Sequence, residues 1–262
     1  MGLRGFLILT ALALASCGGG SPPAASKSAP PAPEDIAAGN TVPDEAEPPS
    51  VEPSPTPGPA PAASNEASVA APTSARFQLG KHYARLSPTQ PTSSSPDKVE
   101  VAEIFWYGCP HCYALDPAVK SWVAAKPEYV SFVRVPVVWS DVTKTHARAY
   151  YTAEALGKIG SMHDALFREI HDNHNLLDTE DKLRAFFGSF AVDAATFQST
   201  YESAGVQTKV QRADELGRRY RVASVPTVVV NGKYVTDAGM AGGNEQLFAL
   251  IGELAASEHS GK

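Results

Sequence analysis

From about Val99 onward the chain shows apolar segments of two different periods. Val99–Tyr107 is almost continuously apolar, which predicts a strand buried on both faces. Pro110 opens a helix whose apolar positions run through Ala114, Leu115, Val119 and Trp122 to about Ala125. Val130–Val135 is a second strand. Strand, helix and strand in that order, with no room for a hairpin, imply a parallel βαβ unit. From about Asp141 to Gly205 the spacing becomes helical. Ala147, Tyr150, Tyr151, Ala155 and Leu156 mark one stripe, and Met162, Leu166, Phe167 and Ile170 mark another. Asp178-Thr179-Glu180-Asp181 reads as a helix start leading into Leu183, Phe186 and Phe187. A further helix spans about Val206 to Tyr220. Val225–Val230 then predicts a strand with Pro226 at its beginning, where a sheet tolerates proline. Asn231-Gly232 predicts a two-residue hairpin turn into the return strand Lys233–Asp237. A closing helix from about Asn244 to Ala256 turns Leu247, Leu250, Ile251 and Leu254 inward.

A β-α-β half, a helical block and a β-β-α half form the order of a thioredoxin fold, in the α/β class, interrupted by an inserted helical domain. The expected boundaries are 76–140 for the first part, 141–205 for the insertion and 206–262 for the second part. The Tyr and Phe stripes of the insertion predict core rather than a cofactor cradle.

Residues 1–75 follow a different pattern. Arg4 precedes the apolar run Phe6–Ala15, too short to span a bilayer comfortably, which predicts a signal peptide over residues 1–16. It ends in Leu14-Ala15-Ser16-Cys17, which looks like a lipobox whose cysteine is lipidated. An ordinary secretory signal cut at an Ala-x-Ala-like site is the alternative. Residues 18–75 contain fourteen of the twenty-two prolines and no aromatic residue. Such a segment buries too little apolar surface to offset its ordering entropy, so residues 17–75 are expected to form a disordered Pro/Ala-rich tether. As a coil it would span on the order of 40 Å, and fully extended roughly 200 Å.

The same segment holds one lysine against seven carboxylates, which accounts for the formal net charge of −6 and leaves the rest close to neutral. That balance recommends neither nucleic acid nor an anionic membrane surface as a partner.

The chemistry concentrates at Cys109-Pro110-His111-Cys112, where the first strand hands over to a helix. A thiolate at the first cysteine would lie against unpaired N–H groups and the helix dipole, which lowers its pKa. The placement points to thiol–disulfide exchange. The only other cysteine is Cys17. A structural zinc site would need a second cysteine pair or downstream histidines. His146, His163, His171 and His174 are available, but the tight pair His171/His174 reads as solvated helix surface. A structural disulfide across so small a loop would add little stability. No metal or cofactor is expected.

These features resemble the DsbA family of bacterial periplasmic thiol–disulfide oxidoreductases, from about Lys81 to the end. The resemblance is carried by Phe105-Trp106-Tyr107-Gly108-Cys109-Pro110-His111-Cys112, by Val225-Pro226 and by Asn231-Gly232-Lys233-Tyr234. It implies that Cys109 is the exposed nucleophile and Cys112 the buried resolving partner of a redox-active disulfide. It also implies a nucleophile with an extreme pKa of about 3.5 and a strongly oxidising couple of about −120 mV. His111 would stabilise the Cys109 thiolate, and Pro110 would start the helix at no hydrogen-bonding cost. Pro226, in the family's cis-proline loop, would face the disulfide and leave the Val225 backbone to pair with substrate. Glu103 matches the family's buried acid, with a raised pKa and a role in relaying the Cys112 proton; a strand-edge glutamate reaching solvent is the alternative. The Val130–Val135 strand offers no evident basic partner for it.

By the same resemblance the substrates are unfolded or reduced exported proteins, and reoxidation falls to an inner-membrane, quinone-linked partner of the DsbB type. The chain is expected to be a monomer in the periplasm, anchored through Cys17. Gly18 follows the lipidated cysteine in place of a retaining aspartate, which favours the outer membrane. A disulfide isomerase or reductase on the same fold, or a non-catalytic chaperone, are the rival readings.

Overall fold

The computed structural model describes residues 76–261. The segments expected to be a signal peptide and a tether, with Cys17 between them, lie outside the described residues, as does Lys262. The elements are β1 (Ala84–Arg85), β2 (Val99–Phe105), α1 (Pro110–Ala125), β3 (Val130–Pro136), α2 (Asp141–Ala155), α3 (Ile159–His171), α4 (Glu180–Gly188), α5 (Ala194–Tyr201), α6 (Ala204–Arg219), β4 (Thr227–Val230), β5 (Tyr234–Thr236), α7 (Ala238–Ala241) and α8 (Asn244–Ser260). They form one five-stranded sheet in the order β1-β5-β4-β2-β3. Only β2 and β3 run parallel; every other pairing is antiparallel. That is the expected thioredoxin arrangement, with α2 to α5 inserted between its halves.

β2 is buried along its whole length because it has a neighbour on each side and helices on both faces. Val99 and Val101 pack with Leu115 and Val119 of α1 and with Leu247, Leu250 and Ile251 of α8. Ala102, Ile104 and Phe105 join the second cluster, which includes Ala147, Tyr150, Tyr151, Met162, Leu166, Phe167 and Ile170 of the insertion and Val210 and Ala213 of α6; Leu156 packs at its edge, while Ala155 is exposed, against expectation. The inserted helices start where the local sequence satisfies their free N–H groups. Ser140 and Thr143 form a reciprocal capping box on α2. Thr179, Asp193 and Ser203 cap α4, α5 and α6. Thr179 thus stands where the Asp178–Asp181 pattern predicts a helix start.

Several boundaries differ from expectation. β2 ends at Phe105, because the chain turns at Trp106, whose carbonyl accepts the Cys109 N–H at 3.0 Å. β4 begins at Thr227 rather than Val225, since Thr227 is the first residue paired with β2, at Ile104. The hairpin loop spans three residues: Val230 pairs with Tyr234, while Lys233 donates to the Val230 carbonyl. Asn231 and Gly232 both take positive φ, as the dipeptide predicts. A Cβ on Gly232 would also lie 2.0 Å from the Gln90 carbonyl oxygen, so only glycine fits. The two-residue edge strand β1 and the short α7 are too brief to show a period.

Candidate active site

β2 delivers the motif to the sheet end, and a tight turn redirects it into α1. Cys109 occupies the N-cap position with extended backbone, and Pro110 follows at the first helical position. The first turn of α1 carries no acidic residue, so its N–H groups and dipole act on Cys109 without an opposing charge. Both cysteines are free thiols. Cys109 retains 7% exposure and Cys112 none. The Cys109 Sγ lies 3.4 Å from the Val225 carbonyl oxygen, and the Val225–Pro226 peptide is cis. The pair expected to face substrate therefore stands directly beside the nucleophilic candidate. His111 and Pro110 are exposed at the same end.

The two thiols are driven apart. A hydrogen bond from the Cys112 thiol holds Cys109 down, from 9.0 to about 6, against the opposing effect of burial. The backbone N–H groups of Cys112 and His111 and the charge of His111 add to it. Cys112 is pushed well up, first because it donates that hydrogen bond and then because it is buried. One sulfur is therefore poised as thiolate, the other kept as thiol.

Beneath the cysteines lies a buried polar chain. Glu103 is 3% exposed, which removes the strand-edge alternative. In the parallel register Glu103 stands opposite Arg134, whose Nε donates to its carboxylate at 2.9 Å. This corrects the expectation that the second strand lacks a basic partner. The signal was present: each residue is the fifth of its strand, counted from the paired Val99 and Val130. Arg134 also donates through Nη2 to Asp116 at 2.8 Å. Asp116 meets His163 Nε2 at 3.1 Å, and His163 Nδ1 lies 2.8 Å from the Tyr107 hydroxyl. Desolvation pushes Glu103 up to about 7, with Asp116 reinforcing the rise and Arg134 opposing it. Burial acts upward on Asp116 as well, yet the hydrogen bond from His163 and the charges around it hold its carboxyl below the usual value.

Asp116 and His163 were missed as site residues. Asp116 could have been found from its i+4 spacing to Cys112, which puts both on one face of α1. His163 comes from α3, and only the fold brings it here. His171 is likewise not solvated: its Nε2 lies 2.8 Å from the Tyr107 carbonyl oxygen, and its ring stacks on Tyr113 with centroids 4.7 Å apart. Among the described residues no group of three His, Cys, Asp or Glu is placed to hold a metal ion, and no helix is long and apolar enough to cross a membrane.

The network supports a stability prediction. Arg134→Met would leave two buried carboxylates with only the half-exposed Lys120, 3.2 Å from Asp116, as counter-charge. The expected cost is about 3 kcal/mol at pH 8. It should shrink towards pH 5, because Glu103, raised further once Arg134 no longer opposes the effect of burial, then holds a proton and needs no cation. Urea melts at the two pH values check this.

A groove of about 340 Å³ adjoins the thiols, between His111 and Leu115 on one side and Ser224, Val225, Pro226 and Ala238 on the other.

Residues 100–255 match the family described as DSBA-like thioredoxin domain. The thiol:disulfide interchange protein DsbA of Pseudomonas aeruginosa is 39% identical over 184 residues, covering 70% of this chain and 87% of that protein. The protein of the same name from Azotobacter vinelandii is 37% identical over 186 residues, covering 71% and 86%. The crystal structure of Pseudomonas aeruginosa DsbA superposes with a TM-score of 0.67 at 39% identity, covering 71% of this chain and 96% of that one. The oxidoreductase DsbA from Xylella fastidiosa gives a TM-score of 0.66 at 29% identity, covering 71% and 99%.

Proposed function

This chain belongs to the DsbA family and is a protein thiol:disulfide oxidoreductase, and we propose that it works in the oxidising direction on reduced exported proteins. The observation that supports this reading is the separation of the two thiols, with Cys109 near 6 and Cys112 raised far above it. A stabilised Cys109 thiolate lowers the energy of the reduced enzyme, and an enzyme content to be reduced gives its disulfide away.

A substrate thiolate attacks the Cys109 sulfur of the oxidised enzyme, forming a mixed disulfide and breaking the Cys109–Cys112 bond. Cys112 leaves and takes up a proton, and in this reading Glu103, buried, near 7 and close enough to act on Cys112 by its charge, supplies it. A second substrate thiolate attacks the substrate sulfur of the mixed disulfide and expels Cys109 as thiolate. Two electrons pass from substrate to enzyme. In this reading His111 adds positive charge beside the leaving thiolate, while Val225 and Pro226 hold the substrate backbone in the groove.

Equilibration of the full chain with glutathione buffers tests the direction. A potential well above the about −270 mV of a thioredoxin-like reductase is expected. A value at or below that level would return the assignment to a reductase.

The anchor belongs to the same proposal. Residues 1–16 act as a signal, Cys17 carries lipid, and residues 18–75 form a tether from the outer membrane into the periplasm. The enzyme is a monomer reoxidised by an inner-membrane, quinone-linked partner of the DsbB type. What supports this is the Leu14-Ala15-Ser16-Cys17 sequence, Gly18 after it, and the acidic, proline-rich composition. Cys17→Ser should release the protein from membrane fractions; an unmodified Cys17 on a protein that is soluble from the start would refute the anchor.

A further inference from the structure

Trp106, three residues before Cys109, is held at both ends. Its carbonyl accepts the Cys109 N–H at 3.0 Å. Its ring lies so close to Gly108 that a Cβ there would fall 2.3 Å from it. The indole N–H in turn donates to His146 Nδ1 on α2 at 2.9 Å, with the two rings stacked at 27°. The opposite imidazole nitrogen, Nε2, lies 2.8 Å from the Leu176 carbonyl oxygen in the α3–α4 connection.

An indole nitrogen only donates and a carbonyl only accepts. Both bonds therefore form with a single state of the ring: neutral, with its proton on Nε2. A charged imidazole would set an Nδ1–H against the indole N–H and lose that bond. The surroundings favour the neutral ring, since His146 is 2% exposed and burial lowers its pKa. The Leu176 and Leu177 backbone and the charge of Asp178 pull the other way without overturning it.

We infer that His146 is a positioning residue for thiol–disulfide exchange, clamping the Trp106 indole to the helical insertion and so fixing the Trp106–Cys109 turn that carries the reactive sulfur. The backbone of Trp106 also hydrogen-bonds the Cys112 sulfur. Both thiols therefore depend on where this one residue sits. Without an acceptor the half-buried indole N–H would have to turn towards water, and the ring would leave Gly108. His146 acts through Trp106, not on the sulfurs.

The test uses the full chain with His146→Leu and His146→Gln, and follows the Cys109 thiolate by ultraviolet absorbance against pH, with Cys109→Ala as blank. His146→Leu should raise the Cys109 midpoint by about half to one pH unit and move the tryptophan emission towards that of a solvated indole. His146→Gln should restore both, because its amide oxygen accepts from the indole and its amide nitrogen donates to Leu176. A folded His146→Leu protein with an unmoved midpoint would overturn the inference, as would a glutamine variant displaced as far as the leucine one. If His146→Leu does not fold, Trp106→Phe removes the donor from the other side. It must raise the midpoint in the same direction, and an unchanged midpoint there counts against the clamp equally. The inference rests on Cys109 being the reactive thiol, which adduct formation at Cys109 tests separately. A protein that forms no adduct there fails that reading. One that forms adducts but shows no midpoint shift fails only the role of His146.

Discussion

Replacing Cys112 with alanine should turn a transient adduct at Cys109 into a stable one. The Cys109 thiol loses its largest stabilising contact, the Cys112 hydrogen bond, but the backbone N–H groups and the His111 charge still favour the thiolate, which attacks a disulfide of a peptide or of glutathione. One thiol is released and a mixed disulfide forms. In the unmutated protein the buried Cys112 then attacks Cys109, expels the adduct and closes the Cys109–Cys112 bond. Without Cys112 no second sulfur among the described residues can do so, since Cys109 and Cys112 are their only cysteines. Mass spectrometry should find close to one adduct per Cys112→Ala chain and only traces on the unmutated one. Cys109→Ala should form none at this site and should lose oxidation of reduced peptides entirely. Cys17 is present in both variants, so any contribution from it cancels in the comparison. Equal adduct levels in the two variants would reverse the assignment of nucleophile and resolving cysteine.

The second large effect is a difference in stability between the redox states, with a defined pH window. The folded Cys109 value is depressed from 9.0 to about 6. A depressed value contributes stability that is fully present above the unfolded value and lost as pH falls through the folded one. The reduced protein should therefore exceed the oxidised one by up to about 3 kcal/mol near pH 9. That falls to about 1 kcal/mol at pH 7 and nothing below pH 6, after allowing for solvent screening at the helix end. Cys112 keeps its proton in the folded protein and contributes nothing up to about pH 8, but as its unfolded thiol ionises from about pH 9 upward it takes back part of the gain. Glu103 titrates near 7 with the opposite sign, its contribution present below its ordinary value of 4.5 and lost through about 7. Both redox forms carry that acid, so it largely cancels. Denaturant melts of the two forms at pH 5, 7 and 9 measure the window. An oxidised form more stable at pH 7 and pH 9 would contradict it. His111→Ser should narrow the difference without abolishing it, because the Cys112 hydrogen bond and the backbone N–H groups remain.

Local pattern and composition dictated one part of this structure. The near-continuous apolar character of Val99–Phe105 and the short link through α1 dictated a buried parallel βαβ unit. The capping residue Thr179 and the Asn231-Gly232 turn marked element ends through side-chain and backbone chemistry that needs no distant partner. The placement of Cys109 at a helix start was legible for the same reason: a strand, a Cys-Pro pair and an apolar helix are contiguous.

Tertiary structure decided what depends on register and on contacts across the insertion. Arg134 was readable as a residue but not as the partner of Glu103 until the parallel register set the two fifth positions side by side. Val225 reaches the Cys109 sulfur across 116 positions of sequence, and Tyr107 meets His163 across 56. His171 read as a solvated surface residue, and nothing in the sequence said what His146 would meet; the docking of α2 and α3 against the active-site turn buried His146, half-buried His171 and gave their nitrogens partners. Helical periodicity shows which face of a helix turns inward, but not which groups it will meet there. A polar side chain at such a boundary can be hydrated or hydrogen-bonded with equal local propensity, and only the packing of the opposing element removes the water and makes the bond obligatory.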